Sequence, residues 1–320
     1  MFRLRSPIPV WQVVCWSALA VACCYAAWRF VTSGDAEERL YSPLVLPSPA
    51  ETFAKFPSLW HDADLPDNTL VSLRRVAIGF GLACLVGVPV GVLCGCFSWI
   101  NALFAPLTIF GRNAPMAAVL FLTFALFGST TETQKYMFIF FSCVAFIVGD
   151  ATAAVREIGS EYVDTAFTLG ANRRQVILKV LFPLALPSIF NSLRLLFGLA
   201  FGYIMLAEVV NVGGGVGGLG YILNLAQSRG ANRPYIILIV LIIPALALGI
   251  DRVLFFIQRQ LFPYRYGGHG YLHRGVGALL RGFEDAKGFF FTTATAEQFP
   301  APRTAAATHA KPAGNAPPQS

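Results

Sequence analysis

Long apolar runs separated by short polar segments organise this chain. No Asp, Glu, Lys or Arg occurs at positions 76–111, 113–131 or 234–250. These gaps are of bilayer dimensions, because a spanning helix takes roughly 20 mostly apolar residues. Positions 10–31, charged only at Arg29, form another apolar run, about 32 Å long as a helix at 1.5 Å per residue. The run at 76–111 would be about 54 Å long as one helix, too long for a single crossing. It must turn, and the polar stretch Ser98 to Asn101, followed by Pro106, is where it can. The pattern therefore predicts an all-α integral membrane protein of six transmembrane helices, at about 10–31, 69–97, 102–127, 135–155, 181–210 and 235–257.

The intervening polar segments divide the chain further. Residues 1–34 hold the N-terminal helix, and 35–68, with Asp35, Glu37, Glu38, Asp62, Asp64 and Asp67, read as an aqueous, periplasmic segment. Residues 69–258 form the core, with the most charged interior stretch at 156–180. Beyond 258 the sequence turns rich in Gly, Ala, Pro and Thr, and 259–320 reads as a disordered tail. Six crossings place both termini on one side. Arg3, Arg5, Arg156, Arg173, Arg174, Lys179, Arg259 and Arg265 would share that side, against Arg39, Lys55, Lys135, Arg229 and Arg233 opposite. The positive-inside rule thus puts the termini and the 156–180 loop in the cytoplasm.

Composition agrees with this reading: 56% of the 320 residues are hydrophobic and 13% charged, where soluble domains carry about a quarter charged. The net charge of +7 comes from arginines scattered between apolar runs, which suits topology and lipid headgroups rather than nucleic acid. The seven cysteines all fall in apolar segments, without a C-x-x-C pair or Cys/His metal spacing, and are expected to be buried free thiols. Ala20-Val21-Ala22-Cys23 loosely imitates a lipoprotein cleavage site, but Ala20 stands where a larger aliphatic residue belongs; a retained membrane helix is the expectation.

Chemistry-bearing motifs are few. There is no G-x-x-x-x-G-K-[ST] phosphate loop, so the chain cannot hydrolyse ATP by that route, and any such energy must come from a partner. Gly215-x-Gly217-x-x-Gly220 matches the dinucleotide fingerprint in letters but lacks a strand-helix-strand context, and reads as a flexible outer loop that could serve as a docking surface. His269 and His273 stand alone in a Gly-rich stretch, so no metal site is expected. No nucleophile-base arrangement has motif support, and neither a cofactor nor an enzyme activity is expected. Ionisable groups within spans are costly and face a protein interior or a cavity. Arg112, Asp150, Arg194 and Glu208 are the deep candidates, with two readings open: lining a translocation path, or bridging helices. Arg194 and Glu208 are about 21 Å apart along one helix and cannot pair with each other. Arg74 and Arg75, near the outer end of the second span, are expected at headgroups.

Within 156–180 stands Asp164-Thr165-Ala166, then Gly170, Arg173-Arg174, and Val180-Leu-Phe182-Pro183. Gly170 suits a left-handed helix end, and a second helix starts near Asn172. This stretch resembles the E-A-A-x-x-x-G-x9-I-x-L-P loop of the permease subunits of bacterial ABC importers. Leu46-Pro47-Ser48-Pro49, Ser72-Leu73-Arg74-Arg75-Val76, Thr168-Leu169-Gly170-Ala171 and Ala207-Glu208 are similar to the nitrate, sulfonate, taurine and bicarbonate type. The chain departs from the pattern at Asp164, Thr165, Val180 and Phe182, and Arg112-Asn113-Ala114-Pro115 replaces an Arg-Pro-x-Pro segment. The resemblance implies a type I, methionine-permease-like core whose Asp164, Thr165, Ala166, Gly170, Arg173, Arg174, Val180, Phe182 and Pro183 form the ATPase-coupling loop. It further implies two cytoplasmic ATPase subunits, a second permease copy, a periplasmic or lipid-anchored solute-binding protein, surrounding membrane lipid, and import of a small anion across the inner membrane. The competing classes are an ATP-independent secondary transporter or channel, and a membrane scaffold.

Overall fold

The structure, a computed structural model, describes residues 9–34, 39, 41, 45–128, 131–210, 217–228 and 233–266. The predicted tail beyond Tyr266, with His269 and His273, lies outside the described residues, as does Gly215. The described residues are all-helical, with helices α1 Val10–Val31, α2 Pro49–Ala54, α3 Phe56–His61, α4 Leu65–Cys96, α5 Ser98–Asn113, α6 Met116–Phe127 and α7 Glu132–Arg156. After these come α8 Ser160–Thr168, α9 Arg173–Val176, a π-helical turn Ile177–Leu181, α10 Phe182–Val209, α11 Leu219–Ser228, α12 Arg233–Leu261 and α13 Pro263–Tyr266. Five stretches are long and apolar enough to cross a membrane, and the bent pair α5–α6 raises this to six.

The core is built on α4 and α7. Along α4, Gly79, Ala83, Gly87, Gly91 and Gly95 recur every four residues and so share one face. A Cβ on Gly79 would lie 2.8 Å from Ile139 Cβ, on Gly87 2.8 Å from Ile147 Cγ2, on Gly91 2.6 Å from Ala151 Cβ, and on Gly95 2.6 Å from Val155 Cβ. The partner number rises in step with the glycine number, so the two helices run parallel in tight contact along their length. Small residues allow this because, in lipid, helices associate through close packing rather than through the hydrophobic effect. Parallel neighbours need a return crossing between them, which α5 and α6 supply.

That return is not one straight helix. The sequence predicts a single span at 102–127, but α5 and α6 meet at 103°. Pro115 is the cause: it disfavours helical geometry at Ala114, which is extended with ψ 131°, and has no N–H to continue the ladder. The 35–68 segment likewise contains structure. Ser48 accepts from Glu51 N while Glu51 accepts from Ser48 N, a capping box with Pro49 in the first turn of α2, so the Leu46-Pro-Ser-Pro motif is a helix start. Tyr235 on α12 donates to Ser58 of α3 at 2.6 Å, holding this segment over the bundle.

The main core cluster gathers Val76, Phe80 and Ala83 of α4, Phe138, Ile139 and Ile147 of α7, and Ala200, Phe201 and Ile204 of α10. Helix α1 stands apart, joined to the segment before α2 by the Trp28 Nε1 donation to Pro47 O at 3.1 Å. This corrects the expectation of seven buried thiols. Cys94 and Cys143 are buried, but Cys15, Cys23 and Cys24 are exposed, since α1 turns most of its surface away from the rest of the chain.

Candidate functional site

Two regions concentrate the chemistry, at opposite ends of the bundle. The first is the 156–180 stretch. Helix α8 ends in a Schellman motif: Gly170 N donates to Phe167 O at 2.9 Å and Ala171 N to Ala166 O at 3.0 Å, with Gly170 at φ 81°. Asn172 then caps α9, accepting from Gln175 N at 3.0 Å while its own N donates to Gln175 Oε1 at 2.9 Å. The result is a rigid elbow. Ala166 is buried beneath it, whereas Asp164, Thr165, Gly170, Arg173 and Arg174 are exposed, and Leu169 at the tip is 82% exposed.

The elbow enters the bundle through the π-helical turn, which includes Val180, and through Phe182 and Pro183. Pro183 cannot donate to the carbonyl of Lys179 and its ring would crowd it, and a widened turn relieves both problems. Pro187 in turn has no N–H for the Pro183 carbonyl, and Tyr264 Oη donates there instead, at 3.2 Å. The start of α10 is thereby joined to α13.

Each of the intramembrane charges singled out by sequence finds an opposite charge. Arg112 Nη2 lies 3.4 Å from Asp150 Oδ1, with its guanidinium over the Phe146 ring. The pair adjoins a cavity of about 450 Å³ between α5 and α7, lined by Asn101, Thr108, Gly149, Thr152 and Arg156 among others. Arg194 Nε lies 2.9 Å from Asp251 Oδ1 across α10 and α12, while its Nη1 donates to Gln258 at 3.1 Å. The structure thus brings Arg112 and Asp150 together and keeps Arg194 apart from Glu208.

Glu208 belongs to the second region, at the opposite end. Its Oε1 accepts from Arg75 Nη1 and from Ser72 Oγ, each at 2.8 Å, and its Oε2 from Gly220 N at 3.0 Å. Arg75 also donates to Glu132 through Nε at 2.8 Å and to Gly217 O at 2.7 Å. Arg75 and Glu208 are each 1% exposed. This corrects the headgroup expectation for Arg75: its guanidinium is held by acceptors from α7, α10 and the 217–220 turn, which lipid headgroups could not match in number. It also corrects the flexible-loop expectation for the described part of the Gly motif. Gly218 N donates to Asn68 Oδ1 at 2.7 Å and Leu219 N to Ser72 Oγ at 2.9 Å, so three successive N–H groups are tied to α4 and α10. The letters of an anion-binding loop do mark an anion, but it is the chain's own carboxylate. Both halves of the clamp, Ser72-x-x-Arg75 and Ala207-Glu208, stand in the sequence, but no local signal joins them across the 133 positions from Arg75 to Glu208.

Residues 87–263 match the family of binding-protein-dependent transport system inner membrane components. The bicarbonate transport system permease CmpB of Synechococcus elongatus is 34% identical over 73% of this chain and 84% of its own. The taurine transport system permease TauC of Escherichia coli is 29% identical over 82% and 94%, and the nitrate import permease NrtB of Synechocystis is 27% identical over 77% and 88%. Among solved structures, the inward-facing MetNI methionine ABC transporter superimposes with a TM-score of 0.56 at 22% identity, covering 64% of this chain and 97% of that one. That likeness establishes a type I importer fold. The chain belongs to the binding-protein-dependent permease family: it is the membrane-spanning permease subunit of an ABC importer. It is a multi-pass membrane protein that works with ATPase and solute-binding partners, and it is not itself an enzyme.

Proposed function

We propose that two copies of this chain form the pathway for a small solute with an anionic group, of the nitrate, sulfonate, taurine or bicarbonate kind, across the inner membrane. In this reading residues 1–34 are an N-terminal span, 35–68 a periplasmic segment and 69–258 the permease core. Both termini, the 259–320 tail and the 156–180 loop are cytoplasmic. Each of two ATPase subunits receives one elbow through Asp164, Thr165, Ala166, Gly170, Arg173 and Arg174, and its closure is passed through Val180, Phe182 and Pro183 into α10.

The single observation that carries this reading is the elbow. A rigid turn capped at both helix ends projects an exposed Leu169 and charges that form no ion pair among the described residues away from the bundle, a surface that gains by being covered. A solute-binding protein delivers the anion at the other end. Arg112 and Asp150, beside the cavity between α5 and α7, are the path residues favoured by geometry, and Arg194 with Asp251 is the second candidate pair. Solute class is inferred from the relatives' transport of bicarbonate, taurine and nitrate.

The test is reconstitution in proteoliposomes with an ATPase and a binding protein, challenged separately with nitrate, taurine, an alkanesulfonate and bicarbonate. ATP-dependent uptake of one of them, by a complex containing two copies of the chain, is the expected result. Uptake only of a cation or of a solute with no anionic group would overturn the assignment, and one copy per complex would overturn the pairing.

A further inference from the structure

Glu208 is inside the bundle yet offers nothing to a passing solute. Both carboxylate oxygens are engaged, by Arg75, Ser72 and Gly220, and the residue is buried. What these bonds hold is α11, a helix of ten residues, too short to be stable by itself. Leu219, Ile222 and Ala226 form its buried underside, and Tyr221, Asn224, Gln227 and Ser228 its exposed, uncharged upper face. Its first turn has no freedom of approach: a Cβ on Gly218 would fall 2.5 Å from the Glu208 carboxylate, and one on Gly220 2.5 Å from Glu208 Cβ. Arg75 extends the connection to Glu132, so the clamp spans α4, α7, α10 and α11.

We propose that Glu208 is a positioning residue of the outer face: clamped between Arg75 and the amide groups opening α11, it presents that helix as a preformed platform to the solute-binding protein. The proposal rests on the importer reading for its partner, but the clamp itself rests on the geometry alone. A platform fixed before docking avoids the ordering cost that a loose segment incurs on binding, so the clamp acts on affinity for the partner rather than on the turnover of a docked complex.

Two measurements test this. In the full chain in native membranes, with the exposed Cys15, Cys23 and Cys24 and the half-buried Cys84 and Cys96 replaced by Ala, Ala226→Cys places a thiol on the buried underside of α11, to be probed with a membrane-impermeant maleimide. Glu208→Ala is expected to speed labelling of that thiol by roughly tenfold, the scale of one charge-assisted hydrogen bond. Native Cys94 and Cys143, buried deeper, stay unlabelled. Ser72→Ala, milder and safer for folding, moves the rate in the same direction. An unchanged rate in both backgrounds overturns the proposal, and so does labelling of Cys94 and Cys143 along with the new thiol, which would signal general unfolding.

In the reconstituted transporter, Glu208→Ala raises the half-saturating concentration of binding protein about tenfold while the maximal ATPase rate stays within about twofold, and Glu208→Gln recovers part of the loss. A fall in maximal rate at unchanged half-saturation overturns the proposal. If no binding protein stimulates the unsubstituted complex, the importer reading fails, and the labelling result still decides whether Glu208 holds α11.

Discussion

Arg75 and Glu208, 133 positions apart, meet through a 2.8 Å contact at the outer end of the bundle, with neither side chain open to solvent. Such a pair is weak support for net stability, but breaking it is expensive because the survivor is left charged and buried. Arg75→Ala strands the Glu208 carboxylate and is expected to cost about 3–5 kcal/mol. Glu132→Gln should cost less, about 1–2 kcal/mol, because Glu132 is partly exposed, Arg75 retains Glu208 and Gly217 O, and the amide oxygen still accepts from the buried Lys135. Thermal unfolding of the detergent-solubilised chain ranks the two, and equal losses would contradict the assignment of Glu208 as the buried partner.

Close contact between α4 and α7 makes a second prediction, with its own control. A Cβ on Gly91 would meet Ala151 Cβ at 2.6 Å and Val148 O at 2.7 Å, neither of which is the end of a flexible chain. Gly91→Val must therefore push two packed helices apart, at about 1–3 kcal/mol or more. Gly81, on the same helix, has open space where its Cβ would be. Gly81→Ala should be neutral or stabilising by about 0.5–1 kcal/mol, as in any helix interior. Membrane-inserted protein that survives heating in detergent measures both.

The helical architecture was legible because lipid imposes length and apolarity: the charge-free gaps fall on α4, α5, α6 and α12, and the apolar runs at 135–155 and 181–210 on α7 and α10. The elbow was legible for a different reason: Gly170 and Asn172 are local signals, read within a few residues of where they act. Neither the α5–α6 bend nor the Arg75 clamp was readable in this way. Pro115 suggests a break but carries no angle, since the 103° depends on what α6 packs against. Arg75 looks like any arginine near a span end until Glu208, on a helix far along the chain, is brought beside it. The four-residue spacing of Gly79, Ala83, Gly87, Gly91 and Gly95 was present in the sequence but does not name its partner helix.

At the elbow, conformation and recognition can be separated. Gly170 has φ 81° with nothing within 4 Å of the position a Cβ would take. Gly170→Ala thus carries only the left-handed backbone cost, about 1–2 kcal/mol. Gly170→Asp tolerates that backbone better but puts a charge on the docking face. Association with the ATPase subunit in a pull-down should survive in the first variant and be lost in the second, with both still in the membrane. Leu169→Glu should behave like Gly170→Asp. Retention of the ATPase by both charged variants would remove the elbow from the interface.

The outer segment offers a pH dependence. Glu51 accepts the backbone N–H of Ser48 and pairs with Arg39 at 3.0 Å, which together hold its carboxyl below the ordinary carboxylate value. A lowered folded-state pKa contributes stability that is present above the unfolded value and lost as pH falls through the folded one. The α2 capping box should therefore be indifferent to pH near neutrality and loosen only in acid, below the usual carboxylate range. Protease cleavage between Pro49 and Phe56 reports this, rising in acid for the native chain. In Glu51→Gln, cleavage should be raised already at neutral pH and flat with acidification.

The Arg112–Asp150 pair distinguishes a path residue from a structural bridge. At 3.4 Å the contact is looser than the Arg75–Glu208 contact, and it adjoins a cavity of about 450 Å³ with Thr108, Thr152 and Arg156 in its lining. If the pair merely bridged α5 and α7, Arg112→Gln and Asp150→Asn would destabilise alike and impair uptake alike. An anion path predicts asymmetry. Arg112→Gln removes a cation that an anion can hydrogen-bond in passing, lowering uptake roughly tenfold, the scale of a hydrogen bond to a charged group. Asp150→Asn instead frees Arg112 from its counter-charge and leaves the cavity more positive, so anions should bind more tightly and half-saturate transport at lower concentration. Uptake against solute concentration, at matched protein level, reads both effects; matching losses in the two variants would assign Arg112 to the scaffold and leave Arg194 as the cation to test next.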